Sequence, residues 1–432
     1  MIFSSFIISC LSVGAVSAAA LDSAVSLPGH HGKRCIVKAG GSESIDDAPA
    51  VLEAFKTCGH NGNVVFSNTT YHINSVMKTT GLKNCAVDIY GTLLWGTNIT
   101  YWLNNSLDVG YQNQSTAWIL SGDRLTVDGH GHGTINGNGD VWYDFVGGVS
   151  NYPRRPHALT VANTTDSIFR GVRFIRSQMW TLSIIHSART IFDSIYVNNT
   201  KTGGGHGANT DGADTIYSNH IAFNNWIVDN GDDSISMKAN STDISITNCT
   251  FHNGLGLAMG SIGQYKDEFE TIERVYAKGL KFINTLHVAY FKTWTGEQVG
   301  YPPNGGGGGF GYAKDLHFSD IHLESGRGTP FTISQCTTFK GGGGPGNCTS
   351  SKFEISHINV NSVRGTTQDS KVSSFQCSAV KPCHDIKITD EHLVLKSNGT
   401  KATSYLCSNV FNTRGFNCTG PACEGASGTG GC

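Results

Sequence analysis

Short runs of alternating apolar and polar residues recur along the chain from about residue 115 onward. Each run follows a polar turn, contains about three to five apolar positions and leads into another turn. Successive runs lie roughly 22 to 35 residues apart, which is the length of one coil of a solenoid. Clear examples are Ser167–Phe174, Thr190–Tyr196, His220–Trp226, Asp243–Cys249 and Asp315–Ile321.

This recurrence predicts an all-β fold, a single-domain right-handed parallel β-helix. A sandwich or a barrel also contains short strands, but its turns come every ~8 to 12 residues. In a β-helix the coils stack, the strands pair in parallel and the apolar side chains fill one elongated core. Asparagines at the ends of the runs, such as Asn225 and Asn248, are expected to stack as hydrogen-bonding ladders at the turns.

One amphipathic helix is predicted before the coils, over Asp46–Cys58, with acidic residues at its start and apolar residues at helical spacing. The end of a solenoid exposes unpaired strands, so we expect this helix to cap the N-terminal end. We assign residues 21–365 to the β-helix and residues 366–432 to a cysteine-rich C-terminal cap of the same domain, with no linker.

Residues 1–20 are apolar, too short to span a membrane and end in small residues, as expected of a signal peptide. The protein is therefore predicted to be secreted into the extracellular space. Of its 13 cysteines, Cys10 lies in this segment, which leaves an even number and up to six disulfides, with local bridges at the C-terminal end. Asn-x-Ser/Thr triplets from Asn68 to Asn417 predict N-glycosylation.

Charge and hydropathy argue against nucleic acid and membrane partners. The formal net charge is -2, and no run of Lys or Arg exceeds a dipeptide, so no nucleic acid partner is expected. No stretch after the leader is apolar enough to span a membrane. A monomer is expected, because capped ends block end-to-end stacking of β-helices.

Two acidic clusters stand out as candidate chemistry. Asn209-Thr210-Asp211 is followed 21 residues later by Asp232 and then Asp233, a separation close to one coil. Parallel stacking would place these carboxylates on one face, about 4.8 Å apart along the axis. Neighbouring carboxylates repel one another, so at least one keeps its proton to higher pH. Glycoside hydrolysis needs that mixture of acid and base, although an acidic turn or a calcium site would look similar.

Around these residues the sequence resembles glycoside hydrolase family 28, the polygalacturonases and their relatives. Two signature segments of that family, Asn-Thr-Asp and Asp-Asp, occur in the right order as Asn209–Asp211 and Asp232–Asp233. The earlier stretch Val127–Trp142 looks like the glycine-rich segment of the family. The resemblance extends over about residues 35 to 365.

The resemblance implies hydrolysis with inversion at the anomeric carbon. Asp232 would be the general acid, while Asp211 and Asp233 would position and deprotonate the attacking water. An inverting acid and base are expected to lie roughly 6.5 to 9.5 Å apart, so that the water fits between them. No cofactor and no metal are expected.

The other two signatures of the family, Gly-His-Gly and Arg-Ile-Lys, are altered in this chain. Leu255 replaces the histidine, and Tyr290–Lys292 keeps only the final cation. Arginine binds a carboxylate through a planar fork that neither tyrosine nor a single lysine reproduces. The sugar bound beside the acids is therefore left open. The candidate substrate-binding residues are Asn209, Gln264, Tyr290 and Lys292.

A glycine-rich segment, Thr293–Phe310, is longer than a tight turn requires and resembles the exo-acting branch of the family. Such a loop would close one end of the substrate groove and leave room for a chain terminus. Trp294 or Tyr301 would be available to stack on a sugar ring. The alternative is a flexible insertion that contacts no ligand.

Four functions follow from these features. The first hypothesis is an exo-polygalacturonase (galacturan 1,4-alpha-galacturonidase) that releases galacturonic acid from the non-reducing end of polygalacturonate or oligogalacturonides. Leu255, Tyr290 and Ala258–Ser261, which resembles rhamnogalacturonan hydrolases, support an exo-acting hydrolase of rhamnogalacturonan or substituted pectin instead. The remaining alternatives are a non-catalytic carbohydrate-binding β-helix and a calcium-dependent lyase with Lys238 as its base.

Overall fold

Three parallel ladders of strands wind around one core in the computed structural model, which describes residues 32–422 and 424–430. The predicted signal peptide, residues 1–20, lies outside the described residues. The fold class predicted from the recurring runs, a right-handed parallel β-helix, is confirmed. Each strand pairs with the equivalent strand one coil away.

The first ladder runs from end to end of the stack and contains the longest strands. Its members, in stacking order, are β1 (Arg34–Ile36), β2 (Asn63–Phe66), β5 (Ala86–Ile89), β10 (Thr126–Asp128), β14 (Thr165–Arg170), β17 (Ala188–Asp193), β20 (Asn219–Asn224), β23 (Ser241–Thr247), β26 (Phe269–Ile283), β28 (Phe310–Gly326), β30 (Lys352–Thr367), β32 (Cys383–Leu395) and β34 (Val410–Arg414).

The second ladder merges into the first at β26. Its members are β3 (Thr70–Ile73), β6 (Thr92–Trp95), β11 (Thr134–Asn136), β15 (Arg173–Ile175), β18 (Tyr196–Asn198), β21 (Ile227–Asp229) and β24 (Thr250–His252).

The third ladder carries the acidic clusters. Its members are β4 (Met77–Lys83), β9 (Trp118–Asp123), β13 (Leu159–Ala162), β16 (Leu182–Ile185), β19 (Ala213–Ile216), β22 (Asp233–Met237), β25 (Gly256–Ile262), β27 (Ala289–Thr293), β29 (Phe331–Ser334), β31 (Lys371–Gln376) and β33 (Ser404–Ser408). A small separate sheet joins β7 (Leu107–Asp108), β8 (Ser115–Thr116) and β12 (Pro156–His157).

The core is built from like residues stacked in successive coils. Phe169, Phe192 and Phe223 occupy matching positions of the first ladder, with ring centroids 4.9 and 5.8 Å apart. Trp226 packs edge-on against Phe223 and donates its indole N–H to the carbonyl oxygen of Phe192. Burial of these aromatic side chains in every coil supplies the main driving force for stacking.

Asparagines form the predicted ladders at the turns. Asn248 donates a side-chain hydrogen bond of 2.7 Å to Asn225, and Asn284 donates one of 2.7 Å to Asn253. All four adopt φ between 53° and 63°. Asparagine tolerates this left-handed conformation better than most residues, so its recurrence at the turns reflects backbone geometry as well as hydrogen bonding.

The N-terminal helix α1 spans Ala48–Cys58 and packs over the first coil, as predicted for a cap. It begins two residues later than predicted, because the Asp46 and Asp47 carboxylates accept hydrogen bonds from Asn74 and His72 of the first coil. The helices α2 (Ile99–Asn105) and α3 (Asp140–Val146) were not predicted. No helix among the described residues is long and apolar enough to cross a membrane.

Disulfides clamp both ends of the stack. Cys35–Cys58 ties α1 to β1, and three short-range bridges lie near the C-terminus, as predicted. These three are Cys336–Cys348, Cys377–Cys383 and Cys407–Cys418. Cys85 and Cys249 are buried free thiols, so the upper limit of six disulfides falls to five. Cys423 and Cys432 lie outside the described residues.

Candidate active site

The acidic clusters lie where the chain enters two neighbouring strands of the third ladder. Asp211 precedes β19, and Asp232 and Asp233 stand at the start of β22. The register pairs Asp214 with Ser236, so Asp211 is level with Asp233 rather than with Asp232. Gly212 donates its backbone N–H to the carbonyl oxygen of Asp233 at 3.0 Å, which fixes the two segments side by side.

The three predicted catalytic carboxylates come together. One oxygen each of Asp211, Asp232 and Asp233 lies within 4.8 Å of the others. This is closer than the roughly 6.5 to 9.5 Å expected for an inverting pair, although it joins nearest oxygens rather than whole carboxyl groups. Both oxygens of Asp232 accept backbone hydrogen bonds of 3.0 Å, from Asn209 and from Asp233.

Burial and mutual repulsion favour protonation within this trio. Burial is the main cause that raises the pKa of Asp211 well above its ordinary value, and the charges of Asp214, Asp232 and Asp233 add to the effect. Burial and the charge of Asp233 raise the pKa of Asp232 to about 6, although the Lys292 ammonium opposes this. The site therefore offers a carboxylic acid near neutral pH, as general acid catalysis requires.

Asp233 is held by the two residues at the altered Arg-Ile-Lys signature. The hydroxyl group of Tyr290 donates to Oδ1 of Asp233, and Lys292 Nζ lies 3.1 Å from Oδ2. Burial disfavours the charge on Lys292, but Asp233, Asp232 and Asp211 outweigh it and raise the lysine pKa. Tyr290 thus contacts one of the three predicted catalytic carboxylates, and its side chain is fully buried.

A second buried ion pair lies beneath the trio. Lys238 Nζ is 3.3 Å from Asp214 and 4.7 Å from the centroid of the Trp180 ring. Burial raises the pKa of Asp214 to about 7, against the attraction of Lys238. Asp214 and Trp180 were not predicted as site residues. The available signal for Asp214 was its position three residues after Asp211 in the same acidic cluster, and no local pattern marks Trp180.

The carboxylates open into a cavity of about 280 Å³. Of the predicted site residues, the three aspartates, Asn209 and Lys292 line this cavity, whereas Tyr290 and Gln264 lie behind its wall. Gln264 is buried with its amide occupied by Gln112, Pro303 and Gly305. It therefore anchors the glycine-rich loop from inside. Leu255 and Phe339 contribute apolar side chains to the wall of the cavity.

The glycine-rich loop is pinned over the site. Asn151 donates a hydrogen bond of 2.9 Å to Oδ1 of Asn304, and Asn304 donates one of 3.0 Å to the carbonyl oxygen of Ser150. Asn151 also donates its backbone N–H to Asn209, at 2.7 Å. These bonds join a segment before the acidic coils to one after them, at a point where Ser150, Asn151 and Asn209 line the cavity. The alternative of a flexible insertion is not supported by these contacts.

The aromatic residues of this loop differ from the prediction. Trp294 is buried against Phe339, with ring centroids 5.6 Å apart, so it cannot stack on a sugar. Tyr301 is exposed and does not line the cavity.

The C-terminal segment also reaches the cavity, which the sequence did not predict. Gly428 and Thr429 are distant in sequence from the three predicted catalytic carboxylates but line the same cavity. The carbonyl oxygen of Thr429 lies 3.0 Å from Nε2 of His287. No pattern in the tail marks this role, because the contacts join residues more than a hundred positions apart.

The sequence matches one protein family over most of its length. The family model described as glycosyl hydrolases family 28 matches residues 69–418. An alpha-L-rhamnosidase of Aspergillus niger is 59% identical over 94% of this chain and 94% of its own length. An exopolygalacturonase of Aspergillus niger is 33% identical over 82% of this chain and 81% of its own length.

Solved structures show the same architecture. The endo-xylogalacturonan hydrolase of Aspergillus tubingensis superimposes with a TM-score of 0.76 at 25% identity, covering 91% of this chain and 100% of the other. Endopolygalacturonase I of Stereum purpureum superimposes with a TM-score of 0.59 at 17% identity, covering 89% of this chain and 100% of the other. The second likeness concerns the fold alone.

Proposed function

The chain belongs to glycoside hydrolase family 28 and is a pectin-degrading hydrolase, and we propose that it is an exo-acting α-L-rhamnosidase. It would remove single rhamnose residues from the non-reducing ends of rhamnogalacturonan. The observation that carries this proposal is the charge balance of the cavity, where the two buried lysines, Lys238 and Lys292, are each already paired with a buried aspartate.

A uronic acid needs an available cation, and neither buried lysine of the cavity is available. Lys292 is paired with Asp233, and Lys238 with Asp214. No arginine lines the cavity within the part of the chain that the structure describes. Breaking a buried ion pair in order to bind a sugar carboxylate would leave an aspartate unpaired, at considerable cost. A neutral sugar meets no such cost.

The apolar wall suits a deoxy sugar. Rhamnose carries a methyl group where galacturonic acid carries its carboxylate. Leu255, Trp180 and Phe339 line the cavity near the catalytic carboxylates and offer that methyl group apolar contact. The alpha-L-rhamnosidase that is 59% identical to this chain supports the same choice of sugar.

The proposed reaction is a single displacement. Asp232 protonates the glycosidic oxygen as it leaves, while Asp233 and Asp211 orient a water and take up its proton. The family resemblance is the support for inversion, and the short spacing of the nearest carboxylate oxygens makes the product anomer a necessary test. An inverting enzyme releases the β-anomer from an α-linked rhamnoside, which NMR detects before mutarotation.

The bridge between the glycine-rich loop and the Ser150–Asn151 segment supports exo action. The hydrogen bonds among Asn304, Asn151 and Ser150 cross the site, so that a polymer chain would not pass through it. A chain terminus, by contrast, can enter.

Secretion is part of the proposal, supported by four disulfides, which persist in an oxidising compartment. The monomeric state stays a prediction.

A second candidate is the exo-polygalacturonase favoured by the sequence resemblance. Lys340 lines the cavity, is exposed and would be available to a galacturonate carboxylate at the rim. The exopolygalacturonase of Aspergillus niger, 33% identical to this chain, supports this alternative.

One set of substrates separates the two. The purified enzyme is incubated with rhamnogalacturonan oligosaccharides that end in rhamnose, with the same oligosaccharides ending in galacturonate, and with oligogalacturonides. Chromatography identifies the first product. Free rhamnose from the first substrate alone is expected. Free galacturonic acid would support the second candidate, and a ladder of oligomers would overturn exo action for either sugar.

A further inference from the structure

The C-terminal segment runs back along the third ladder towards the active site, one coil at a time. Gly420 accepts a hydrogen bond from Cys407 of β33. Gly425 accepts one of 3.1 Å from Gln376 of β31. Ser427 donates its N–H to the carbonyl oxygen of Cys336, just after β29. Each contact is one coil closer to the catalytic strands.

The segment ends its described course on β27. Thr429 contacts His287, and Gly430 packs directly on the ring of Tyr290. A Cβ atom on Gly430 would lie 2.3 Å from Cδ2 of Tyr290, and the residue adopts φ +77°, so only glycine fits without displacement. The His287 ring lies on the same tyrosine, with centroids 4.8 Å apart.

Tyr290 transmits this contact to the catalytic centre. Its ring is covered by Gly430, and its hydroxyl group donates to Oδ1 of Asp233. Tyr290 is fully buried, and the contact with Gly430 lies along the edge of the ring formed by Cγ, Cδ2 and Cε2. A side chain held by packing keeps its hydrogen-bond geometry, whereas one with a free face reorients.

We propose that residues 427–430 form a strap that positions Tyr290 against Asp233 and so completes the active site. Gly428 and Thr429 at the same time supply part of the cavity wall. Tyr290 is a positioning residue in this scheme, because it contacts Asp233 rather than the substrate. The proposal rests on the catalytic role of Asp233 in the proposed function but not on which sugar is bound.

The test uses two glycines of the same tail in the full-length enzyme. In Gly430→Ala the new methyl group displaces either the strap or the Tyr290 ring. In the control, Gly425→Ala, a Cβ atom meets nothing within 4 Å. We expect Gly430→Ala to lower kcat by about 10- to 100-fold, as slight misplacement of a catalytic group does, with little change in KM. Gly425→Ala should match the wild type.

A double-mutant cycle distinguishes positioning from general damage. Tyr290→Phe removes the hydroxyl group that Asp233 accepts from. In that background Gly430→Ala should reduce kcat by less than about 2-fold, because the two changes remove the same interaction. If the two reductions multiply, or if Gly430→Ala alone retains wild-type kcat, the strap does not position Tyr290.

Two further measurements keep the test decisive. If Gly430→Ala does not fold, Ser427→Pro replaces it, since proline lacks the N–H that binds Cys336. Hydrogen exchange of the backbone amides in β27 (Ala289–Thr293) reports whether the strap is in place, and the measurement needs no substrate. Faster exchange in Gly430→Ala than in Gly425→Ala is expected, and equal rates would contradict the strap. Failure of the wild type to release rhamnose would contradict only the sugar assignment.

Discussion

Lys292 Nζ lies 3.1 Å from Oδ2 of Asp233, buried within the trio of carboxylates. This ion pair lies beside Asp232, whose pKa burial and the charge of Asp233 raise to about 6, while Lys292 opposes the rise. The proposed acid and the proposed base differ in their contacts, because the lysine pairs with Asp233 whereas backbone N–H groups bind both oxygens of Asp232.

Asp232→Asn should lower kcat on rhamnogalacturonan oligosaccharides by about 10²- to 10⁴-fold, the usual contribution of a general acid. The loss should be much smaller on 4-nitrophenyl α-L-rhamnoside, because nitrophenolate leaves without a proton. Steady-state kinetics on both substrates provide the measurement. The control is Asp320→Asn, which changes an exposed aspartate in the first ladder, far from the site. Equal losses of Asp232→Asn on the two substrates would refute the acid role.

The pH profile of kcat/KM should fall as pH rises through about 6, where Asp232 loses its proton. The positive charge of Lys292 lowers the Asp232 pKa, so Lys292→Met should move this basic limb to higher pH, whatever it does to the maximal rate. Profiles of both enzymes on one substrate test the sign. A basic limb that stays in place or moves to lower pH would show that another group titrates.

A cation on the cavity wall should change the sugar. Leu255→Arg places an arginine fork in the cavity wall where Leu255 supplies an apolar side chain, and it leaves the contact between Tyr290 and Asp233 in place. We expect rhamnose release to fall and galacturonic acid release from oligogalacturonides to rise, each by roughly 10-fold or more. Specific activities on the two substrates give the result. Leu255→Met is the matched control, since it keeps an apolar side chain of similar volume, and it should leave the preference for rhamnose intact.

Opening the loop should relax exo action. Asn304→Ala removes the hydrogen bonds to Asn151 and Ser150, each worth about 1 kcal/mol or about 5-fold in an equilibrium. Terminal rhamnose release should slow, and longer oligosaccharides should appear among the first products. The control is Gln298→Ala in the same loop, because among the described residues the Gln298 amide hydrogen-bonds only to the carbonyl oxygen of Gly300; this variant should leave the product pattern unchanged. Unaltered products from Asn304→Ala would mean that the bridge does not block the groove.

Periodicity in the sequence was sufficient for the fold, because a β-helix repeats the same local pattern in every coil. Periodicity was less informative about the register between neighbouring strands. The 21-residue step placed Asp211 and Asp232 on one face but left their lateral offset open, and the pairing of Asp214 with Ser236 aligns Asp211 with Asp233. A coil accommodates one additional residue in a turn without any change in the apolar pattern, so spacing alone does not fix which acid is level with which.

The candidate site was predictable only where the chain is locally distinctive. The three aspartates form recognisable clusters, and Lys292 follows a recognisable signature. Gly430 could not be found, since its contact with Tyr290 spans 140 positions and nothing about a glycine near a chain terminus announces a partner. Gln264 shows the converse, because a polar residue near a motif was expected to bind substrate and instead anchors a loop.

The parallel ladders also give the molecule a mechanical direction. Hydrogen bonds between coils point along the stack, while the covalent chain runs around it. A force that pulls the two ends of the stack apart would break the hydrogen bonds of one coil at a time, starting from a terminus. A force across the stack would act on the hydrogen bonds of many coils together. The catalytic strands β19 and β22 lie in the interior of the stack, so several coils would detach before tension reached them.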